Sequence, residues 1–337
     1  MSDLVPVVDL AASDAPQLVD AACRTVGFMS IVGHDVPQAV ISAMLDATDE
    51  FFALPLDEKL RVRSPSPGIN RGYAAKGTEG LAYSLGVDGR PPDLFEAFNV
   101  GPESRPDGVP AERVEFASNV WPHRPASLRP ALTAYFEEIA ALARRLTRVM
   151  ARALELDDDF FVGKTDHSTD TLRVIHYERG PGEPEPLRGQ QRMGAHTDYG
   201  IVTILYADRV AGLEIVGPAG GWHGVVPPPD GFVVNLGDLL ARWTNDRWRS
   251  TMHRVVPPAP TVEGRAVRRS MAFFHDGNFD AMIECLPTCS SEESPPRYPP
   301  VIAGDHLLAK LLGPRTLTVS DAQSTAGERV HAVTDTT

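Results

Sequence analysis

The stretch "GAHTDYGIVTILYA" (residues 194–207) sets an imidazole, His196, and a carboxylate, Asp198, two residues apart and just ahead of an apolar run. In an extended chain, residues i and i+2 project to the same face. His196 and Asp198 therefore point together and Thr197 points away. The run behind them reads as a buried strand. An imidazole and a carboxylate carried into a sheet interior need a partner, a metal or a water, because burying them unpaired is costly.

Working outward, the chain after residue 170 keeps the same character. "TLRVIHY", "IVTILYA", "GLEIV", "WHGVV", "GFVVNLG", "TMHRVV", "RRSMAFFH" and "AMIECL" are short apolar or alternating segments with Gly, Pro or Asp turns between them. They predict an antiparallel double sheet or barrel. Upstream, "VPVVDL" and "FMSIVGH" read as strands. "SDAPQLVDAACRTVGF" reads as a helix capped by Ser13 or Asp14 and ended by Gly27, and "VPQAVISAMLDATDEFFAL" as a second helix. Residues 127–156 hold the strongest helical stripe, with Leu128, Leu132, Tyr135, Ile139, Leu142, Leu146, Val149 and Ala153 on one face. That helix is expected to be a scaffold packed on the sheet. Residues 62–126 are rich in Pro and Gly with little periodicity, which predicts long functional loops. The expected organisation is an N-terminal region (1–125) with helices and substrate-covering loops, a scaffold helix (126–160), a strand core (170–290) and a C-terminal extension (291–337). All belong to one unit with a β-core buttressed by N-terminal helices.

Composition narrows the function classes. With 337 residues, 42% of them hydrophobic, the chain is an ordinary globular protein. A net charge of −13 removes the basic footprint that nucleic-acid or anionic-membrane binding requires. There is no run of about 18 apolar residues to span a bilayer. Cys23, Cys285 and Cys289 do not form a disulfide framework, and the N-terminus lacks a signal-peptide pattern, so the expected compartment is the cytoplasm. Oligomeric state is not legible.

His-x-Asp alone is a weak signal, and "HYE" supplies a decoy of the same spacing in His176 and Glu178. Three other features strengthen it. His253, in "STMHRVV", adds a second imidazole. Two His and one carboxylate can occupy one face of an octahedral iron and leave positions open for oxygen chemistry, although zinc hydrolases use similar sets. Arg268 and Ser270 share a strand face, a costly arrangement inside a barrel unless a carboxylate meets the guanidinium, whether an internal Asp or Glu or a ligand. Tyr177 and His176 face opposite ways, so one of them points inward.

The order His196-x-Asp198, "NLGD" (235–238), "WTNDRWRSTMHRVV" (243–256) and Arg268-x-Ser270 followed by "FF" resembles the iron(II)- and 2-oxoglutarate-dependent oxygenases of the isopenicillin N synthase-like family. "VPVVDL", "ACRTVGFMSIVGHDVP", "FFALPLDEK", "RGY" and "DLFEAFNVG" extend the resemblance to the N-terminal part. The resemblance implies a double-stranded β-helix, or jelly roll. It implies Fe(II) on His196, Asp198 and His253, and the distal carboxylate of 2-oxoglutarate on Arg268 and Ser270 with help from Tyr177. It also implies O2 as oxidant and a small-molecule substrate, with specialised metabolism as a frequent setting of such enzymes. Asn235 is a candidate for fixing the ligands, while Asn245 reads as a loop stabiliser. In "INRGYAAKG", Arg71 is a candidate for a substrate carboxylate or phosphate and Tyr73 for packing or a hydrogen bond, and Phe274 is a candidate cavity wall. His176 reads as structural or solvent-facing. Two alternatives stand beside this: an oxidase without 2-oxoglutarate, for which the late Gln323 offers no convincing extra ligand, and a metal-binding jelly roll without turnover.

Overall fold

Alternation of side chains along the central strands gives one sheet two different faces, and the whole architecture follows from keeping them apart. A computed structural model describes residues 4–87, 89–110, 113–178, 185–257 and 267–318. The N-terminal region supplies β1 (Val7–Asp9), α1 (Ala15–Thr25), β2 (Phe28–Val32), α2 (Gln38–Phe52), α3 (Leu56–Leu60), β3 (Gly72–Ala74) and β4 (Glu96–Val100). Turns of 3-10 helix lie at Leu81–Leu85 and Val114–Phe116. Then come α4 (Leu128–Ala153), α5 (Val162–Thr165), β5 (Thr171–Tyr177), β6 (Met193–His196), β7 (Val202–Ala207), β8 (Leu213–Val216), β9 (Trp222–Gly224) and β10 (Phe232–Leu236). The chain continues through α6 (Asp238–Trp243), β11 (His253–Val255), β12 (Arg268–His275), β13 (Met282–Ile283), β14 (Val301–Ile302) and α7 (Ala303–Thr316).

Among the described residues, eight strands form the larger sheet in the order β1-β2-β10-β7-β12-β5-β4-β3. A second sheet, β6-β11-β8-β9, completes the sandwich. Only the β1–β2 pair is parallel, which fits its crossover through α1. On the larger sheet, Leu172, Val174, Val202, Ile204, Val234, Leu236, Met271 and Phe273 face the helices and join the main core. The intervening residues of the same strands face the cavity between the sheets. α4 lies on the helical side, where Phe136 meets Phe273 edge-on at 5.1 Å between centroids. Its predicted stripe is buried from Leu128 to Leu146, with Val149 half-buried.

All eight segments read as strands after residue 170 contain strand, although "AMIECL" shrinks to the two residues of β13. α1 carries Asp14 at its N-cap and Pro in its first turn, and it ends where expected. Gly27 there has φ +66°, and a Cβ on it would lie 2.1 Å from the Arg249 carbonyl oxygen. The loop reading of residues 62–126 needs correction, because "EAFNV" is β4. It is buried at all five positions, so it shows no alternation to reveal it. β6, α6 and α7 are also absent from the sequence reading.

Candidate active site

β6 and β11 pair antiparallel with His196 directly opposite His253, so both imidazoles stand on one face. The His196 and His253 Nε2 atoms lie 3.7 and 3.6 Å from Asp198 Oδ1, and the two rings are 4.3 Å apart. All three side chains are buried, and each offers one ligand atom within 4.8 Å of the others. Their second atoms are already occupied. His196 Nδ1 bonds the Gly194 carbonyl at 2.8 Å and His253 Nδ1 the Thr251 carbonyl at 3.1 Å. A carbonyl can only accept, so each Nδ1 carries the proton and each Nε2 keeps a lone pair for a metal. Thr203 Oγ1 (2.5 Å) and Asn235 Nδ2 (2.6 Å) both donate to Asp198 Oδ2, which aims Oδ1 at the imidazoles. Burial first, and the neighbouring His253 second, hold His196 well below the usual imidazole range and so keep it neutral. The "NLGD" glycine has a steric reason, since a Cβ on Gly237 would sit 2.2 Å from the Gly200 carbonyl oxygen, where that turn crosses the "DYG" segment.

Deeper in the same cavity, the antiparallel pairing of β12 and β5 sets Arg268 opposite Tyr177. Arg268 is 1% exposed, its NH1 donates to Ser270 Oγ at 3.2 Å, and its Nε has no partner among the described residues. The guanidinium lies 5.1 Å from the Tyr177 ring centroid. The Tyr177 hydroxyl sits beside Met193 Sδ (3.9 Å) and within reach of Ser270. Burial raises that phenol and Arg268 pulls it the other way. Among the described residues the Arg268 Nε donor finds no acceptor, which is what a bound carboxylate would supply.

Comparison with known proteins settles the family. Two family models match: the N-terminal region of non-haem dioxygenases in morphine synthesis over residues 5–124, and the 2OG-Fe(II) oxygenase superfamily over residues 169–277. The chain is 35% identical to a 2-oxoglutarate-Fe(II) type oxidoreductase of Emericella nidulans, over 86% of this chain and 81% of that one. The chain belongs to the 2OG-Fe(II) oxygenase superfamily. Another member, a homoarginine-6-hydroxylase of Oryza sativa subsp. japonica, is 32% identical over 88% of each chain. Among solved structures, a full-length Neurospora crassa protein in complex with alpha-KG and thymine superposes with a TM-score of 0.79 at 29% identity, covering 92% of this chain and 98% of that one. As a member of this superfamily the protein is a non-haem iron(II) oxygenase that uses 2-oxoglutarate and O2.

The donor set fits that chemistry. Two neutral imidazoles and one carboxylate oxygen suit iron(II) and leave positions open on its other face. The residues singled out in the sequence fall into three groups. His196, Asp198, His253, Asn235, Arg268, Ser270 and Tyr177 all line one cavity, and Phe274 joins them from β12. Arg71 also lines it, but its guanidinium is committed to structure: Nε, NH1 and NH2 donate to the carbonyls of Ala117, Asn70 and Glu115. Tyr73 is not at the cavity. It is 2% exposed, donates to Glu96 Oε2 at 2.7 Å and packs edge-on to Phe51. His176 is buried rather than solvent-facing, bonded to Glu96 and stacked on Phe52. Asn245 ties loops, as expected, through Cys289, Pro295 and Arg297. Gln323 lies outside the described residues.

Sequence reasoning missed Arg173, Glu79, Asp276 and the α7 residues that close the cavity. Arg173 had a signal, because in β5 it shares a face with Tyr177. Asp276 is buried near Asp198, and burial first, then Asp170 and Asp198, push its carboxyl up. α7 reaches the cavity through Leu307, Leu308, Leu311, Pro314 and Arg315. It is pinned by Lys310 Nζ donating to Asp238 Oδ2 at 2.8 Å. Burial pushes Asp238 up, but Lys310 more than offsets this and holds it below the usual range.

Proposed function

We propose that His196, Asp198 and His253 hold the iron, that Arg268 and Ser270 with Tyr177 receive the far carboxylate of 2-oxoglutarate, and that the enzyme oxidises a C–H bond of a small molecule. The observation that carries this reading is the pair of incomplete sites in one cavity: three ligand atoms aimed at a common point, and a buried guanidinium that no carboxylate of the described residues meets in an ion pair. A binding protein without turnover gives no reason for the second, anionic subsite.

When bound, the iron and 2-oxoglutarate supply a two-electron oxidation at the expense of O2, with release of succinate and carbon dioxide. The chain's own residues do the rest. The carbonyls of Gly194 and Thr251 fix the imidazole tautomers. Thr203 and Asn235 orient Asp198 so that one oxygen is left for the metal. Arg268 sets the cosubstrate's direction, because a guanidinium fork recognises a carboxylate in a defined plane. The apolar side chains of α7 exclude water from the reacting face and position the substrate.

The division of labour along the chain supports a covering region in residues 1–125, a scaffold helix in 126–160 and a chemical core in 170–290. The stretch 291–337 contributes α7 to the site itself. The three free cysteines support a reducing compartment, the cytoplasm. No helix among the described residues is long and apolar enough to cross a membrane.

Anaerobic addition of iron(II) and then 2-oxoglutarate tests the assignment. A weak visible charge-transfer band should require both, vanish in His196→Ala, and demand much more 2-oxoglutarate in Arg268→Ala. Unchanged cosubstrate binding in His196→Ala would refute the metal assignment.

A further inference from the structure

The lining of the cavity gathers Arg71, Arg173 and Arg315 with Glu79. Arg173 of β5 projects from the same face as Tyr177 but four residues earlier, about 13 Å back along the strand. Its cross-strand neighbour on β12 is Ala272, whose small side chain leaves room for the guanidinium. Arg173 NH2 donates to Glu79 Oε2 at 2.7 Å and NH1 to Asn99 Oδ1 at 3.2 Å. Arg315, in the last turn of α7, approaches the same Glu79 from above. Among the described residues its hydrogen bonds go to neutral acceptors, the Pro67 carbonyl (3.1 Å) and Asn70 Oδ1. Arg71 stands beside it with its donors spent on three carbonyls.

Arg173 and Arg315 therefore share one carboxylate, Glu79, with Arg71 beside Arg315, and all four residues line the cavity. Of the other acids nearby, Glu115 is 3.6 Å from Arg113, and Asp93, close enough to Arg173 and Glu79 to feel both, accepts from the Leu81 and Gly194 N–H groups. The mutual repulsion of the arginines is visible: burial first, and Arg315 second, bring Arg71 down to about 10. Burial likewise lowers Arg315, with Arg173 adding to it and Glu79 opposing. Gathering like charges in a low-dielectric wall is unfavourable unless an anion joins them. The other side of this space is apolar, from Leu307, Leu308 and Leu311 of α7 and Phe274 of β12.

We propose that the primary substrate is a small carboxylic acid whose carboxylate is received by Arg315 together with Arg173, and whose apolar body lies against α7 with a C–H bond turned toward the His196–Asp198–His253 site. The proposal rests on the oxygenase reading above and adds the substrate class. It assigns the two anionic ends of the reacting pair to different arginines: Arg268 for the cosubstrate, Arg315 and Arg173 for the substrate.

Matched acid and amide probes test it on enzyme loaded anaerobically with iron(II) and saturating 2-oxoglutarate. The probes are benzoate against benzamide, and cyclohexanecarboxylate against its amide, with binding followed by calorimetry. The acid of at least one pair should bind about tenfold or more tightly than its amide, as expected for charge-assisted hydrogen bonds. Arg315→Gln should reduce that preference to below about threefold, and Arg315→Lys should restore it at least in part. The charge-transfer band reports that each variant is folded and loaded. Equal binding of acid and amide in every pair, an undiminished preference in Arg315→Gln, or loss of the band on adding the acid overturns the proposal. The last result would mean that the acid had taken the Arg268 end instead. Absence of the band in wild type before any probe is added is a different failure, that of the oxygenase reading itself.

Discussion

The two faces of β5 each carry a buried polar cluster, and the clusters differ in whether they are complete. On the helical side, Glu96 of β4 accepts from Lys59 Nζ (2.7 Å), the Tyr73 hydroxyl (2.7 Å) and His176 Nδ1 (3.2 Å). Every partner is a protein atom. On the cavity side, Arg268 has one hydroxyl for company and an unpartnered Nε. Burial is nearly the same for both, with Glu96 at 6% exposure and Arg268 at 1%. A buried charge thus marks a site most plainly where its hydrogen bonds do not close among the described residues. Arg71 makes the same point, being as buried as Arg268 yet fully spent on backbone carbonyls.

The contrast predicts opposite consequences for mutation. The largest effect is expected in Arg268→Gln, where the dissociation constant of 2-oxoglutarate should rise by roughly two orders of magnitude. Its melting temperature should stay level or rise, because that buried charge has no ion-pair partner among the described residues to offset its desolvation. Titration of cosubstrate against the charge-transfer band, with a thermal melt alongside, reads both. Glu96→Gln should reverse the pattern, losing about 3 kcal/mol of stability in denaturant melts while cosubstrate affinity stays within about twofold of wild type. A stable Glu96→Gln protein with weakened cosubstrate binding would erase the distinction between the clusters.

The closed cluster also has a pH signature. Burial pushes Glu96 up, but His176, Lys59 and Tyr73 outweigh it and bring the carboxyl down to about 2. A carboxylate depressed in the folded state binds protons more readily when unfolded. Its contribution to stability is therefore complete above about pH 4.5 and is lost as the pH falls toward 2. Melts across that window should slope less in Glu96→Gln than in wild type. The smallest effect belongs to Tyr177→Phe. Removing one neutral hydroxyl from the open cluster should weaken 2-oxoglutarate by only about fivefold, measured by the same band.

The chemistry-bearing residues were legible where strand periodicity carries them. His196 and Asp198, and Arg268 and Ser270, sit two apart, so their shared faces follow from an extended backbone alone. The order in which they and His253 occur made the family resemblance possible. Arg71 and Tyr73, at the start of the short edge strand β3, were harder, since their partners depend on which distant segment packs against them. Arg71 meets carbonyls near residue 116, and Tyr73 meets a strand not legible as one. β4 hides because both its faces are covered. α7 hides because it contains Gly304, Gly313 and Pro314 and buries small patches on several sides, leaving no clean stripe. Even so, Arg173 lay in plain view, on the same alternation that exposed Tyr177.

α7 is a fourteen-residue segment following the last strand, yet it supplies part of the wall of the cavity that holds the three candidate ligand atoms. The proposed iron and cosubstrate residues lie on other elements, and α7 is joined to them through contacts that include the Lys310 anchor to Asp238 and the packing against the Leu81–Leu85 turn. Selectivity is thereby separable from reactivity. On the proposed reading, exchanging one late stretch of chain would re-tailor what the enzyme accepts and leave the oxidising machinery as it is.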